Sequence, residues 1–267
     1  MFLKRKIIFL GVLIASGMIL FQLPLEAAST EWKLVWSDEF DGPDGASIDS
    51  KKWNFDIGGG HWGNAEAQCY TNRIDNVYQE NGCLVIRAIK EKYDGWEYTS
   101  GRITTKDKFE PKYGRIEARI KVPYGQGLWP AFWMLGNDIN TNNWPNCGEI
   151  DIMENLGREP YRVHGAIHGP GYFGARGPTA FIDSQEKLSN DFHVFAIEWQ
   201  PKEISWYFDG EKYFSQTPND VDTWVFDHPF FIILNVAVGG TWPGYPDETT
   251  VFPQKMLVDY VRVYQQL

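Results

Sequence analysis

Gly148-Glu149-Ile150-Asp151-Ile152-Met153-Glu154-Asn155 sets three carboxylates within six residues of an otherwise apolar run. On a strand, successive side chains point to opposite faces, so Glu149 and Asp151 share one face and Ile150 and Ile152 the other. Strict alternation would turn Glu154 away from the other two acids. A β-bulge near Met153 adds one residue to the strand and returns Glu154 to the acidic face. The stretch therefore reads as a bulged strand with Glu149, Asp151 and Glu154 side by side over a cleft. Two readings without catalysis remain at this point, an acidic strand edge on a solvated face and a calcium site. The interleaved Ile150, Ile152 and Met153, with Trp129, Trp133 and Trp144 just upstream, weigh against both.

Such a row suits glycoside hydrolysis. A retaining glycosidase uses one ionised carboxylate as nucleophile and one protonated carboxyl as acid and later base, roughly 5–5.5 Å apart. Carboxylates this close cannot all be ionised, so the pKa of one should rise, as an acid catalyst requires.

The rest of the chain supports an all-β fold. The 267 residues suffice for one large domain. Helical periodicity is scarce, and short strands with turn punctuation recur, which predicts a sandwich or barrel. Gly114 to Lys121 alternates Ile116, Ala118 and Ile120 with Arg115, Glu117 and Arg119, a strand with one wet face. Glu203 to Tyr213 reads as a hairpin turning at Asp209-Gly210. Phe192 to Trp199 and Phe230 to Val238 read as further strands, the latter buried on both sides. The Gly-, Pro- and Asn-rich stretches 136–147 and 169–179 are loops able to wall a cleft.

Residues 1–28 read as a signal peptide, with Lys4, Arg5 and Lys6, an apolar run from Ile7 to Leu23, and Ala27-Ala28 at the end. A retained anchor is the alternative, which Gly11, Ser16 and Gly17 within the run disfavour. The expected product is a secreted single domain over 29–267. Cleavage would take the formal net charge from -10 to -12, by removing Lys4, Arg5, Lys6 and Glu26. So acidic a surface excludes nucleic acid and anionic membranes as partners and suits a neutral polymer. Cys69, Cys83 and Cys147 are odd in number, so at least one thiol is unpaired; a Cys69–Cys83 bridge stays open, and free buried thiols are preferred.

Twelve Trp in one domain point to a carbohydrate groove. Trp129 and Trp133, four apart, share a strand face with Ala131 between them, which leaves room for a pyranose ring. Trp242, after Gly239-Gly240, is another platform. Trp36, Trp53, Trp199 and Trp206 are assigned to the core. His164 and His168 also lie four apart on one strand face. Asn64, Glu66 and Gln68 alternate after a Gly-rich segment. Arg102 is either a ligand for sugar hydroxyls or one half of a surface ion pair.

Several ordered motifs resemble the laminarinase branch of family 16 glycoside hydrolases. They are the bulged Glu-x-Asp-x-x-Glu at 149–154, Trp36-Ser37-Asp38-Glu39-Phe40, Tyr98-Thr99-Ser100-Gly101-Arg102, Trp129-Pro130-Ala131-Phe132-Trp133-Met134-Leu135, Asn235-Val236-Ala237-Val238-Gly239-Gly240, and Asp259-Tyr260-Val261-Arg262-Val263-Tyr264. The resemblance implies a β-jelly-roll sandwich of two antiparallel sheets with a concave substrate cleft. It implies Glu149 as nucleophile, Glu154 as acid/base and Asp151 as modulator, with His168 near the pair and the Asn64, Glu66 and Gln68 segment at the cleft rim. It also implies no catalytic cofactor, and a structural calcium held by Glu39, the Gly82 carbonyl and Asp259, whose oxygen donors suit Ca²⁺. The expected activity is endo-hydrolysis of β-1,3-glucan by a chain acting as a monomer. The alternatives are a mixed-linkage β-1,3-1,4-glucanase and a non-catalytic glucan-recognition module.

Overall fold

Residues 31–267, which the computed structural model describes, resolve into two packed sheets. The first has seven strands, all paired antiparallel, in the order Thr179–Asp183, Arg162–His168, Glu149–Glu154, Leu128–Gly136, Phe230–Val238, Arg102–Thr104 and Asn54–Phe55. The second has ten. Its main path runs Glu211–Gln216, Glu203–Phe208, His193–Gln200, Gly114–Lys121, Gln254–Gln266, Cys83–Tyr93, Trp96–Ser100 and Gln68–Tyr70. Trp32–Asp38 adds to Gln254–Gln266, and Val77–Glu80 to Cys83–Tyr93. The sheets are antiparallel as predicted, except that Gln68–Tyr70 runs parallel to Trp96–Ser100. The signal-peptide reading of residues 1–28 lies outside the described residues.

Alternation decides which side chains meet between the sheets. From the seven-stranded sheet, Phe132, Met134, Ile150, Ile152, Phe230, Ile232 and Leu234 enter one core with Ile116, Ala118, Ile120, Phe195, Ile197 and Trp206 of the other. Each large apolar side chain so buried contributes roughly 1.5–3 kcal/mol. Phe230–Val238 is buried at all nine positions, because its odd-numbered residues are covered on the opposite, cleft-facing side. There Phe231 and Ile233 join a small second cluster with Leu135 and Cys147. Trp53, Trp199 and Trp206 are core residues at 1%, 1% and 0% exposure, and Trp36 packs half-buried on Phe109.

Local chemistry places the turns. Asp209 and Gly210 both take positive φ, 47° and 86°, the geometry that lets a two-residue turn follow the strand twist. The predicted wet face of Gly114–Lys121 is partly covered: Glu117 is buried, and Arg115 Nε neutralises it at 2.8 Å. Cys69, Cys83 and Cys147 are all free thiols, so no Cys69–Cys83 bridge forms.

Candidate active site

The bulge falls where the acids need it. Asp151 pairs with Trp133, Met153 with Phe132 and Glu154 with Ala131, so Ile152 is the extra residue on that side. On the other side Asp151 pairs with Ala166 and Glu154 with His164, again one residue out of step. Consecutive Ile152 and Met153 consequently both enter the core, which a regular strand forbids. Glu149, Asp151 and Glu154 all line the cleft above. At the interrupted ladder the Asp151 carbonyl accepts a hydrogen bond from Trp206 Nε1 at 2.8 Å. Gly165, on the neighbouring strand, makes room for that indole: a Cβ there would lie 2.7 Å from Trp206 Cδ1 and 2.6 Å from the Tyr213 hydroxyl.

The cleft, about 730 Å³, crosses the seven-stranded sheet. Trp144 Nε1 donates to Glu149 Oε2 at 2.6 Å and Trp129 Nε1 to Glu154 Oε1 at 3.0 Å. His168 Nε2 lies 3.1 Å from Asp151 Oδ2 and 3.8 Å from Glu149 Oε1. Among the described residues no Lys or Arg side chain pairs with any of the three acids. Burial first, and then the Asp151 charge, push Glu149 up to about 8. The same two causes hold Glu154 well above the ordinary carboxyl range, and burial also raises Asp151. Glu149, Asp151 and His168 bring ligand atoms within 4.8 Å of one another, a spacing a metal ion could also use. The indole N–H groups aimed at both glutamates suit carboxyl chemistry instead.

All the residues predicted for sugar contact line this cleft: Asn64, Arg102, Trp129, Trp133, His168 and Trp242. Their roles are more entangled than the sequence suggested. Arg102 is at once an ion-pair partner and a cleft residue. Its Nε reaches Asp56 at 2.8 Å while its guanidinium lies over Trp62 at 4.7 Å and over Trp133 at 4.8 Å. Trp133 thus has one face covered and donates to Asn235 Oδ1 at 2.7 Å. His168 points into the acids. His164, left undecided by the sequence, contacts Glu159 at 2.9 Å and packs edge-on against Trp242.

Trp62, Glu66, Trp144 and Asn235, none of them predicted as a sugar contact, also line the cleft. Trp144 belongs to the loop predicted to wall the cleft, but nothing in the spacing aims its indole at Glu149. Glu66 alternates with Asn64 and Gln68, which was the available signal. It is buried, raised in pKa chiefly by that burial, and held by Asn64, Gln68 and Tyr70.

The donors predicted for calcium come close in register. Asp38 pairs with Val261 and Val258 with Leu84, so Glu39, Gly82 and Asp259 sit at neighbouring positions of the ten-stranded sheet. Each carboxylate is already neutralised, Glu39 by Arg262 at 3.0 and 2.8 Å and Asp259 by Arg119 at 2.7 Å. A cation there has to displace both arginines, so the set as placed does not fit one.

Comparison with known proteins agrees with this geometry. The chain is 42% identical to a β-glucanase of Rhodothermus marinus, over 98% of this chain and 95% of that protein. The laminarinase catalytic domain of Thermotoga maritima superposes with a TM-score of 0.85 at 52% identity, covering 89% of this chain and 99% of that one. The endo-β-1,3-glucanase of Pyrococcus furiosus gives 0.84 at 49% identity, over 90% and 97%. The model of glycosyl hydrolases family 16 matches residues 64–262, and the chain belongs to that family.

Proposed function

We propose that the protein is an endo-acting β-1,3-glucanase that cleaves laminarin-type glucans with retention of configuration. The observation that carries this reading is the bulge at Ile152–Met153, which sets Glu149, Asp151 and Glu154 on one face of an open, Trp-lined cleft. The homologues named above are β-glucanases and laminarinases.

Glu149 attacks the anomeric carbon as its glycosidic C–O bond breaks, and Glu154 gives the departing oxygen its proton. Water, deprotonated by Glu154, then opens the glycosyl ester, and the second inversion restores the β configuration. Glu154 suits the acid role because burial holds its carboxyl well above the ordinary range. Glu149 and Asp151 share one face of the strand, and burial is the first cause that raises each of them. Glu149 acts as the nucleophile in its ionised form, a charge that the Trp144 N–H and His168 favour. No catalytic cofactor enters these steps.

Laminarin, lichenan and carboxymethyl cellulose assayed in parallel test the specificity. Laminarin should be cut internally, with the β-anomer as first product by proton NMR. Exclusive action on lichenan would move the reading to a mixed-linkage glucanase, and an α-anomer would end the retaining mechanism.

Export through residues 1–28 fits this reading, since a polymeric glucan lies outside the cell. A structural calcium at Glu39, Gly82 and Asp259 has their register in its favour and the Arg262 and Arg119 pairs against it. Chelation that lowers the melting temperature, with calcium found by elemental analysis, would establish it; an unchanged melting curve would dismiss it.

A further inference from the structure

Register draws a straight row across the cleft sheet. Asn235, Ala131, Glu154, His164 and Phe181 lie opposite one another on five consecutive strands. On the last two strands the side chains alternate regularly. His164 therefore shares a face with Ala166 and His168, and Phe181 with Thr179. Ala166, His168 and Thr179 all line the cleft, so Phe181 belongs to the same face. It stands two strands beyond Glu154, at ~4.8 Å per strand.

Phe181 is 53% exposed, high for a phenyl ring on this sheet. An edge strand normally carries charge where it meets water, and an apolar ring there is a liability unless something covers it. The ring is also fixed. The Arg162 guanidinium sits 3.7 Å over it, and Asp183 holds that guanidinium with two hydrogen bonds of 2.7 and 2.8 Å. From Phe181 back to the acids the surface stays aromatic. The His164 ring is 6.2 Å from Phe181 and 5.2 Å from Trp242, and Trp242 is 5.4 Å from Trp129, which bonds Glu154.

We propose that Phe181 is the floor of a further sugar subsite, on the side of Glu154 away from Asn235 and Arg102. A pyranose ring of the glucan chain would stack there after crossing His164 and Trp242. The inference rests on the β-glucan reading above. A ring immobilised before substrate arrives loses little rotamer freedom on binding, so the contact adds to transition-state affinity with little ordering cost.

The test is kcat/KM on β-1,3-glucose oligomers of increasing length, for the wild type, Phe181→Ala and Phe181→Tyr, with melting curves for all three. In Phe181→Ala the ratio of long-oligomer to short-oligomer kcat/KM should fall roughly three- to tenfold, the equivalent of one lost aromatic contact. Phe181→Tyr keeps a stacking face and should keep the wild-type ratio. An unchanged ratio in Phe181→Ala, or the same loss in both variants, would overturn the subsite. A shift in oligomeric state with the ratio intact would also overturn it, assigning the ring to contact between chains. If the wild type cleaves no β-1,3 oligomer, the glucanase reading fails instead, and the same ratio is then read on mixed-linkage oligomers.

Discussion

Acidic residues live under opposite regimes on the ten-stranded sheet and in the cleft. On the ten-stranded sheet they are matched with arginines: Glu117 and Glu198 with Arg115, Glu39 with Arg262, Asp259 with Arg119. The Arg262 hydrogen bonds hold Glu39 below its ordinary range. On the seven-stranded sheet Glu149, Asp151 and Glu154 meet indole N–H groups and His168, and burial drives them upward. A paired carboxylate is inert because its charge is spent on a neighbour. A buried one without a cation keeps its proton to higher pH, so it can serve as an acid, and once ionised its charge is free to attack.

The sharpest way to break this contrast is to remove charge from the cleft. Glu149→Gln should cost ~10⁴-fold or more in kcat, since no covalent route remains. Glu154→Ala should cost roughly 10²–10⁴-fold on glucan, the range of a general acid. With an aryl glucoside whose leaving group needs no proton, azide should restore its turnover; azide rescuing Glu149→Ala with retained configuration would exchange the two roles.

Next in size is the bulge. Deleting Met153 slips the strand by one residue and turns Glu154 out of the cleft, so activity should vanish. Met153→Leu keeps the volume and should cost under ~1.5 kcal/mol of stability with activity largely intact. A fully active deletion would remove the bulge from the account.

Stability against pH separates the sheets more gently. Glu149 and Glu154 have folded-state pKa values raised above the ordinary 4.5. Their contribution to stability is full below that value and is lost as pH rises, for Glu149 through about 8. The wild-type melting temperature should therefore fall between pH 5 and 8, and Glu149→Gln should flatten that slope. The lowered Glu39 behaves oppositely, stabilising above 4.5 and losing that on acidification. Its exposed pair with Arg262 is screened, so Glu39→Gln should shift stability by under about 1 kcal/mol. A larger loss would mean the outer-sheet pairs are structural in a way their exposure does not suggest.

The sequence made the strands, the bulge and the acid row legible because each rests on local alternation. Two consecutive apolar residues between acids, Ile152-Met153, can be accommodated only by an extra residue in the strand. The Trp129–Ala131–Trp133 face was readable for the same reason. Trp144 on Glu149, the Arg102 guanidinium between Trp62 and Trp133, and the arginines on Glu39 and Asp259 were not. Each depends on side chains from segments far apart in sequence, and neither periodicity nor motif order encodes where a long side chain ends.

The Trp206 hydrogen bond to the Asp151 carbonyl carries a consequence for how the enzyme fails. That indole is buried in the apolar layer and rises from the opposite sheet, so the catalytic strand is tied directly to the core between the sheets. Amide hydrogens at 151–154 should exchange only through global opening. Heat should then destroy turnover and near-UV circular dichroism in one coincident transition, leaving no temperature at which a folded but inactive protein accumulates.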